Sequence, residues 1–522
     1  MSLARSFITV GGNTMMSRVL GFVRELLIAA TLGAGPVADA FYAAFRFPNL
    51  FRRVLAEGAF NSAFIPLFSK ALEGEGEEGA RRFANQVLAA LFVVLLLLTA
   101  LIELAAPIFV ATVIAPGFVD NAGKFELTVI LSRVMFPYLA CMSLVAMLSG
   151  ILNALHRYAA AAFAPVLLNV ILIAVLGLAL YLGLETRRIG LMMGWGVFAA
   201  GLAQLTLLFV ALRRAGFSLG FSRPALTPAV RRLLVLAAPA AIAGGIVQIN
   251  LFIGQIIASQ KAGAIAILQY ADRIYQLPLG VVGIAIGVVL LPELSRALKS
   301  GDFKRAGDYQ NRSLTFALFL TLPAAAALSV IAEPVVRVLF ERGQFTAETT
   351  EITAHALGYF ALGLPAFVLV KVFQPGFFAR EDTATPMRAA AVTMVINVAF
   401  SLALFPSMAE AGIALATTIA GWANALILFW LLLHNGFWPV QPEVFRQAGW
   451  MLASALAMAA ALYALLVPLG VLVQPASAIG AQLAALALLI ACGAALYFAA
   501  VQITGAADLR EISRQIVRRP KA

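Results

Sequence analysis

The sequence is short of charge, of histidine and of cysteine, and each shortage removes a class of protein. Charged residues fill 12% of its 522 positions, against roughly 25% in soluble domains. With 62% hydrophobic residues, a water-soluble fold is excluded, and no soluble domain fits between the apolar runs. The two cysteines, Cys141 and Cys492, lie far apart inside apolar runs. They suggest neither a disulfide framework nor a zinc site and read as small buried hydrophobes. The three histidines, His156, His355 and His434, fit no zinc-protease pattern, and a phosphate loop and a Gly-x-Ser-x-Gly elbow are missing. ATP hydrolysis is therefore not expected, and neither is a metal or a cofactor.

What the sequence has is apolar length. Runs able to cross the ~30 Å hydrocarbon layer recur from end to end. They define fourteen expected spans, at 5–31, 38–70, 84–115, 127–154, 158–183, 188–212, 230–258, 264–298, 308–330, 349–378, 384–405, 411–434, 447–471 and 478–503. The expected fold class is thus an all-α polytopic membrane protein with 14 transmembrane helices. The first run holds Asn13, Arg18 and Arg24 and lacks a small-residue cleavage site, so it reads as a retained span rather than a signal peptide.

The formal net charge is +12, but its distribution argues against a nucleic-acid partner. Lys70, Arg81, Arg82, Arg157, Arg213, Arg214, Arg223, Arg231, Arg232 and Arg296 all fall in short loops on one side, with the basic tail. The other side holds only Lys124, Arg187, Arg188, Lys261, Arg337 and Arg342. Cytoplasmic loops retain the excess of lysine and arginine, which places both termini in the cytoplasm. The acidic, glycine-rich stretch Glu73 to Gly79 is then expected to be a solvated cytoplasmic loop.

An internal duplication shows at a constant spacing. Ile65-Pro66-Leu67-Phe68-Ser69-Lys70-Ala71-Leu72 is echoed by Leu291-Pro292-Glu293-Leu294-Ser295-Arg296-Ala297-Leu298, 226 residues on (292 − 66). Gly150 and Gly376 keep the same spacing, and each is followed by a short polar turn and a helix bearing an asparagine, Asn169 or Asn397. Six spans separate the copies, so they share one orientation and a pseudo-two-fold axis along the membrane normal is the natural relation. The expected organisation is an N-terminal lobe at 1–222, a C-terminal lobe at 223–440, two additional helices at 441–506 and a basic cytoplasmic tail at 507–522.

Charges also stand where lipid should be. On a helix counted from Arg5, Arg18 lies ~20 Å along and Arg24 ~28 Å. The second span carries Arg46, Arg52 and Arg53, the eighth Asp272 and Arg273, and the tenth Lys371. Even five of these six arginines facing lipid would cost on the order of 12–17 kcal/mol, so these side chains must face a wet or protein-lined interior. Glu57, four residues after Arg53, and Glu25, Asp39 and Asp272 are candidate partners in a structural ion-pair network. The alternative is an anion path: a guanidinium offers a planar fork to two phosphate oxygens and never deprotonates at working pH. Lys371 reads equally as a ligand and as a snorkelling side chain. Pro48, Pro66, Pro278, Gly283 and Gly287 mark bends, either for gating or as ordinary kinks.

Asn13-Thr14-Met15-Met16-Ser17-Arg18-Val19-Leu20-Gly21-Phe22-Val23-Arg24-Glu25, Ala38-Asp39-Ala40-Phe41, and Pro48-Asn49-Leu50-Phe51-Arg52-Arg53 through Glu57-Gly58-Ala59-Phe60 resemble the MurJ (MviN) family. Ala271-Asp272-Arg273 and Phe378-Ala379-Arg380-Glu381-Asp382-Thr383-Ala384-Thr385-Pro386 extend the resemblance over essentially the whole chain. These are lipid II flippases of the multidrug/oligosaccharidyl-lipid/polysaccharide exporter superfamily. The resemblance implies two six-helix lobes around a cationic cavity and two terminal helices forming a groove for a polyprenyl tail. It implies that Arg18, Arg24, Arg52 and Arg273 hold the diphosphate and headgroup, that Asp39 faces a periplasmic gate, and that Arg53 with Glu57 supports the second helix. Asp272 joins these as a gating or supporting residue, with Arg46 and Lys371 as further candidate ligands. Where some members carry a glutamate three residues after the arginine matching Arg273, this chain has Gln276. The apolar body of the seventh span holds no acid, so the sequence does not support sodium coupling.

The implied partners are lipid II (an undecaprenyl-diphosphate-linked muropeptide), membrane lipids and cell-wall synthesis proteins, and the implied location is a bacterial inner membrane. Alternating access driven or reset by membrane potential would suit an anion, at ~2.3 kcal/mol per charge per 100 mV. The rival readings are a flippase for another polyprenyl-linked oligosaccharide, a multidrug exporter, a membrane enzyme and a non-transporting scaffold. The arginines count against the exporter of cationic drugs. An enzyme would need paired carboxylates or a metal cluster, which the sequence does not offer.

Overall fold

The computed structural model describes residues 3–53, 60–475 and 477–506, and every regular element among them is helical. Glu57 and the basic tail, 507–522, lie outside the described residues. Helix α1 (Leu3–Leu32) turns through Gly33 to Gly35 into α2 (Pro36–Phe51), which Pro36 starts because a first-turn proline gives up no hydrogen bond. α3 (Asn61–Phe109) ends in a π-helical turn at Val110–Ile114. There follow α4 (Ala122–Met135), α5 (Pro137–Ala154), α6 (Tyr158–Tyr181), α7 (Thr186–Arg214) and α8 (Pro228–Ala258). The second half runs α9 (Ala264–Lys299), α10 (Phe303–Val330), α11 (Ala332–Phe340), α12 (Ala347–Phe378), α13 (Ala384–His434), α14 (Pro442–Leu469) and α15 (Ile479–Thr504). Side-chain caps fix several starts: Asn121 accepts from the amide of Lys124, Thr227 from Val230, Asp302 from Arg305 and Thr346 from Thr349.

Among the described residues nine helical stretches are long and apolar enough to cross a membrane. The all-helical, membrane-spanning class read from the sequence therefore stands, while the count of fourteen remains an expectation. Two details differ from that reading. Glu73 to Glu78 are exposed as expected, yet they do not form a loop: α3 runs through them and breaks only at Gly76, whose φ of 71° folds one helical arm back from the next. The expected span 127–154 is found as one apolar stretch, Ala122–Ala154, interrupted only at Phe136 because Pro137 cannot continue the hydrogen-bond ladder of α4. Helix α11, nine residues with an apolar face, was not anticipated.

The chain divides into two compact units, one of residues 1–266 with 343–345, the other of 267–342 with 346–522. This division follows packing and differs from the repeat-based lobes expected at 1–222 and 223–440, since α8 belongs to the first unit. In that unit an aromatic stack, Phe60, Phe64 and Phe68 with Phe83, joins the two arms of α3, and Phe217 closes it from the loop after α7. In the second unit Phe373, Phe429 and Trp438 form a cluster of their own, and Tyr497 of α15 donates to the carbonyl of Phe319 at 3.0 Å.

The duplication is visible inside each unit. The α5–α6 turn places His156 at φ 58°, with His156 N–H to Asn153 and Arg157 N–H to Leu152. The α12–α13 turn places Glu381 at φ 62°, with Glu381 N–H to Phe378 and Asp382 N–H to Phe377. Both are Schellman closures that retire otherwise unpaired helix carbonyls, built on a left-handed residue that is not glycine. Asn85 and Asn311, 226 residues apart (311 − 85), play equivalent parts. Asn85 accepts from the amide of Gly220, and Asn311 accepts from Trp438 and Gln441 and donates to Pro439, so each pins the strand of chain that leaves its repeat.

Candidate functional site: buried charge within each unit

In the first unit the charges of α1 are organised by α2 and α6. Arg24, nearly buried, donates to Glu25 at 2.9 Å and to Asn169 at 3.0 Å. Tyr42 of α2 donates to the second oxygen of Glu25 at 2.6 Å, and Asn169 of α6 donates to the carbonyl of Ser17 at 2.9 Å. Arg24 is thus charge-matched and its fork is fixed by two neighbouring helices, as a side chain with a preset direction must be. Glu25 was among the expected partners; Tyr42 was not. Arg18 stands on the same helix ~9 Å earlier, exposed, with no hydrogen bond or ion pair among the described residues. Arg52 is half-buried and donates to Asn49 at 2.8 Å. Arg46 is half-buried and Arg53 exposed. The expected Arg53–Glu57 pair falls outside the described residues.

A second charge centre closes the end of this unit where α1 turns into α2. Asp39 is fully buried and accepts from Lys124 at 2.5 Å, from the amide of Gly263 at 2.7 Å and from that of Ala266 at 3.0 Å. The Lys124 ammonium also lies 3.8 Å from the centre of the Phe118 ring. The sequence reading assigned Lys124 to a loop, and the structure buries it. Beside this centre the amide of Gln344 bonds Ala30 at 2.9 Å. Gly33 and Gly343, at φ 58° and 59°, let the two backbones touch there. A Cβ on Gly33 would sit 2.3 Å from the Gln344 carbonyl oxygen, and one on Gly343 would sit 2.2 Å from that of Ala30. Gln255 of α8 adds a bond to the Ile114 carbonyl at 2.9 Å, which the π-helical turn exposes.

In the second unit the expected site residues lie on α9. Gln276 donates to Asp272 one helical turn away, so the residue that replaces a carboxylate here serves as a donor instead. Tyr275, between them in sequence, stacks on Phe360 at 5.1 Å and meets Phe367 at a tilt at 5.7 Å, both from α12. Phe367 in turn fills the space left by Gly421 of α13, where a Cβ would come within 2.5 Å of the ring. Arg273 is half-buried. Lys371 is exposed on α12, its stem against Gly283.

Beyond the spans, Arg380 donates to the carbonyls of Gly376 at 2.6 Å and Phe437 at 2.9 Å, tying the end of α12 to the end of α13. Partial burial lowers its pKa from the ordinary arginine value. Asp382 accepts from the amide of Thr385 at 2.9 Å, and bonds from Thr385 hold its carboxyl below the usual carboxylate value.

Arg24, Asp39, Asp272 and Gln276 therefore sit in bonded networks. Asn169, Tyr42 and Lys124 complete those networks and were not assigned a role from sequence. Asn169 had a signal, its place in the repeat. Lys124 had none, because an end-of-helix lysine looks the same whether solvated or folded inward.

A family model described as lipid II flippase MurJ matches residues 28–492. The chain is 56% identical over 518 residues to the probable lipid II flippase MurJ of Rhizobium meliloti (strain 1021), covering 99% of this chain and 97% of that one. It is 52% identical to the probable lipid II flippase MurJ of Rhizobium tropici, covering 100% and 98%. Among solved structures it is similar to a lipid II flippase MurJ in an inward closed conformation, with a TM-score of 0.77 at 25% identity and coverage of 98% and 100%.

Proposed function

The chain belongs to the lipid II flippase MurJ family, and from that premise we propose that it carries lipid II across a bacterial inner membrane, from the cytoplasmic to the periplasmic leaflet, by alternating access. It is a multi-pass membrane transporter with both termini in the cytoplasm. The polyprenyl tail stays in hydrocarbon while the headgroup travels along a polar path, so only the headgroup has to be matched by the protein. The diphosphate ligands in this reading are Arg18, Arg24, Arg52 and Arg273, because a guanidinium fork suits two phosphate oxygens. Two matched lobes, 1–222 and 223–440, alternate access, and the helices of 441–506 receive the tail. Cell-wall synthesis proteins are the natural neighbours of such a carrier.

The observation that supports this reading most is the family match along the chain, 56% identity over 518 residues, and Arg24 is the residue on which the site assignment is tested. A guanidinium in the body of a membrane helix is expensive to keep. Here it is oriented by Glu25, Asn169 and, through Glu25, by Tyr42. The test is a headgroup-exposure assay in vesicles, paired with complementation of a depleted host. Arg24→Ala and Arg273→Ala should each abolish translocation while the protein still reaches the membrane. Normal translocation by both variants would refute the arginine assignment, whereas normal complementation by both with no translocation even by the wild type would favour a non-transporting scaffold. Equal transport of other polyprenyl-diphosphate oligosaccharides would widen the substrate class.

A further inference from the structure

We propose that Lys371 is a specificity-determining contact for the headgroup, binding a carboxylate of its peptide rather than the diphosphate; the proposal rests on the lipid II reading given above. Lys371 lies seven residues before the end of α12 at Phe378, ~10 Å up the helix. At that depth a charge facing lipid would be costly, and its position on the helix shows that it does not face lipid. Phe360, Phe367 and Lys371 follow one another on a single stripe of α12. The first two clasp Tyr275 of α9, so Lys371 is on the face turned towards α9.

The contact on α9 is Gly283. A Cβ there would come within 2.7 Å of Lys371 Cδ and 3.1 Å of Cε, so the missing side chain is a slot through which the lysine stem passes. Gly283 lies on the stripe of α9 that carries Asp272 and Gln276, three turns further on, and ~15 Å along the helix from Arg273. Lys371 is exposed as a residue, its ammonium lies 3.4 Å from the same Cβ position, and among the described residues it has no ion pair or hydrogen bond. The second unit therefore offers two cations at a set spacing, a guanidinium at Arg273 and an ammonium at Lys371.

Their chemistries differ in a useful way. The planar fork of Arg273 suits phosphate, whereas a compact ammonium on a flexible stem suits a single carboxylate that arrives in variable positions. A peptide of a few residues spans ~10–17 Å when extended, which matches the spacing from a diphosphate at Arg273. On the proposed topology Lys371 is the more cytoplasmic of the two, where the peptide would trail behind a diphosphate that has advanced to Arg273.

The test compares two ligands, lipid II and undecaprenyl diphosphate, which lacks the sugar and peptide, on the purified full-length protein. Lys371→Met should weaken lipid II binding ~10-fold, the size expected for one charge-assisted contact, and leave undecaprenyl diphosphate binding unchanged. Lys371→Arg should restore most of it. Gly283→Ala should behave like Lys371→Met, because the added methyl displaces the stem. Wild-type protein should show the same loss towards lipid II whose peptide carboxylates are capped as amides. Unchanged lipid II binding by Lys371→Met would overturn the proposal, and so would equal weakening of both ligands, which would make Lys371 a phosphate contact. Arg273→Ala should weaken both ligands; if it weakens neither, the diphosphate assignment fails while the Lys371 comparison still stands or falls by itself.

Discussion

Lys124 reaches Asp39 at 2.5 Å, and both side chains are almost wholly shielded from solvent. The pair joins α2 to the first turn of α4, while the remaining capacity of the carboxylate is used by the amides of Gly263 and Ala266. Removing one member strands a buried charge, which typically costs ~3–5 kcal/mol. Lys124→Met should therefore lower the thermal unfolding midpoint of the purified protein sharply. The double variant Asp39→Asn with Lys124→Met should lose less than Lys124→Met alone, because no ionised group is left without its partner. A wild-type midpoint for Lys124→Met would contradict the burial of the pair.

Gly33 should tolerate alanine far less well than Gly301. Both have positive φ, but a Cβ at Gly33 collides with the Gln344 carbonyl, whereas nothing lies within 4 Å of one at Gly301. Gly301→Ala should show only the left-handed penalty of ~1 kcal/mol. Gly33→Ala should exceed it clearly in the same unfolding measurement, and equal losses would contradict the backbone contact.

The two repeat asparagines should not be equally costly to remove. Asn311 is buried and serves Trp438, Gln441 and Pro439, while half-buried Asn85 accepts one amide through its side chain. Each buried group left unsatisfied costs ~1–3 kcal/mol. Asn311→Ala should destabilise more than Asn85→Ala, as read from unfolding midpoints or from protease cutting at 436–441 against 216–227.

Asp382 should make stability depend on pH in one direction. Its folded pKa is depressed below the ordinary 3.8 by bonds from Thr385. The stabilisation is therefore complete above the unfolded carboxylate's pKa and fades as pH falls through the lower folded one. The gap in unfolding midpoint between wild type and Asp382→Asn should be constant near neutrality and shrink on acidification through the carboxylate range. A gap that widens instead would reverse the assignment.

Much of the fold could be read from the sequence because hydrophobic length and the placement of lysine and arginine are one-dimensional signals. The helix over 5–31, the break before Tyr158 and the repeat spacing of Pro66 and Pro292 are of this kind. The network around Arg24 was legible only in part. Glu25 is adjacent in sequence, but Asn169 lies 145 residues away, and only packing of α6 on α1 brings it near. Lys124 and Asp39 are 85 residues apart, and no periodicity links them. Helix α11 escaped because nine residues are too few for a membrane span and too apolar to read as a loop. Gly283 was read as a bend, since the sequence cannot tell a glycine that frees the backbone from one that makes room for a neighbour.

The paired turns after α5 and α12 have an evolutionary consequence. One copy puts a histidine at the left-handed position and the other a glutamate, two residues with nothing in common but the conformation they adopt. The closure is made by main-chain groups and constrains the conformation rather than the side chain. Substitutions at these two positions are therefore free to differ in size and charge as long as the residue accepts a positive φ.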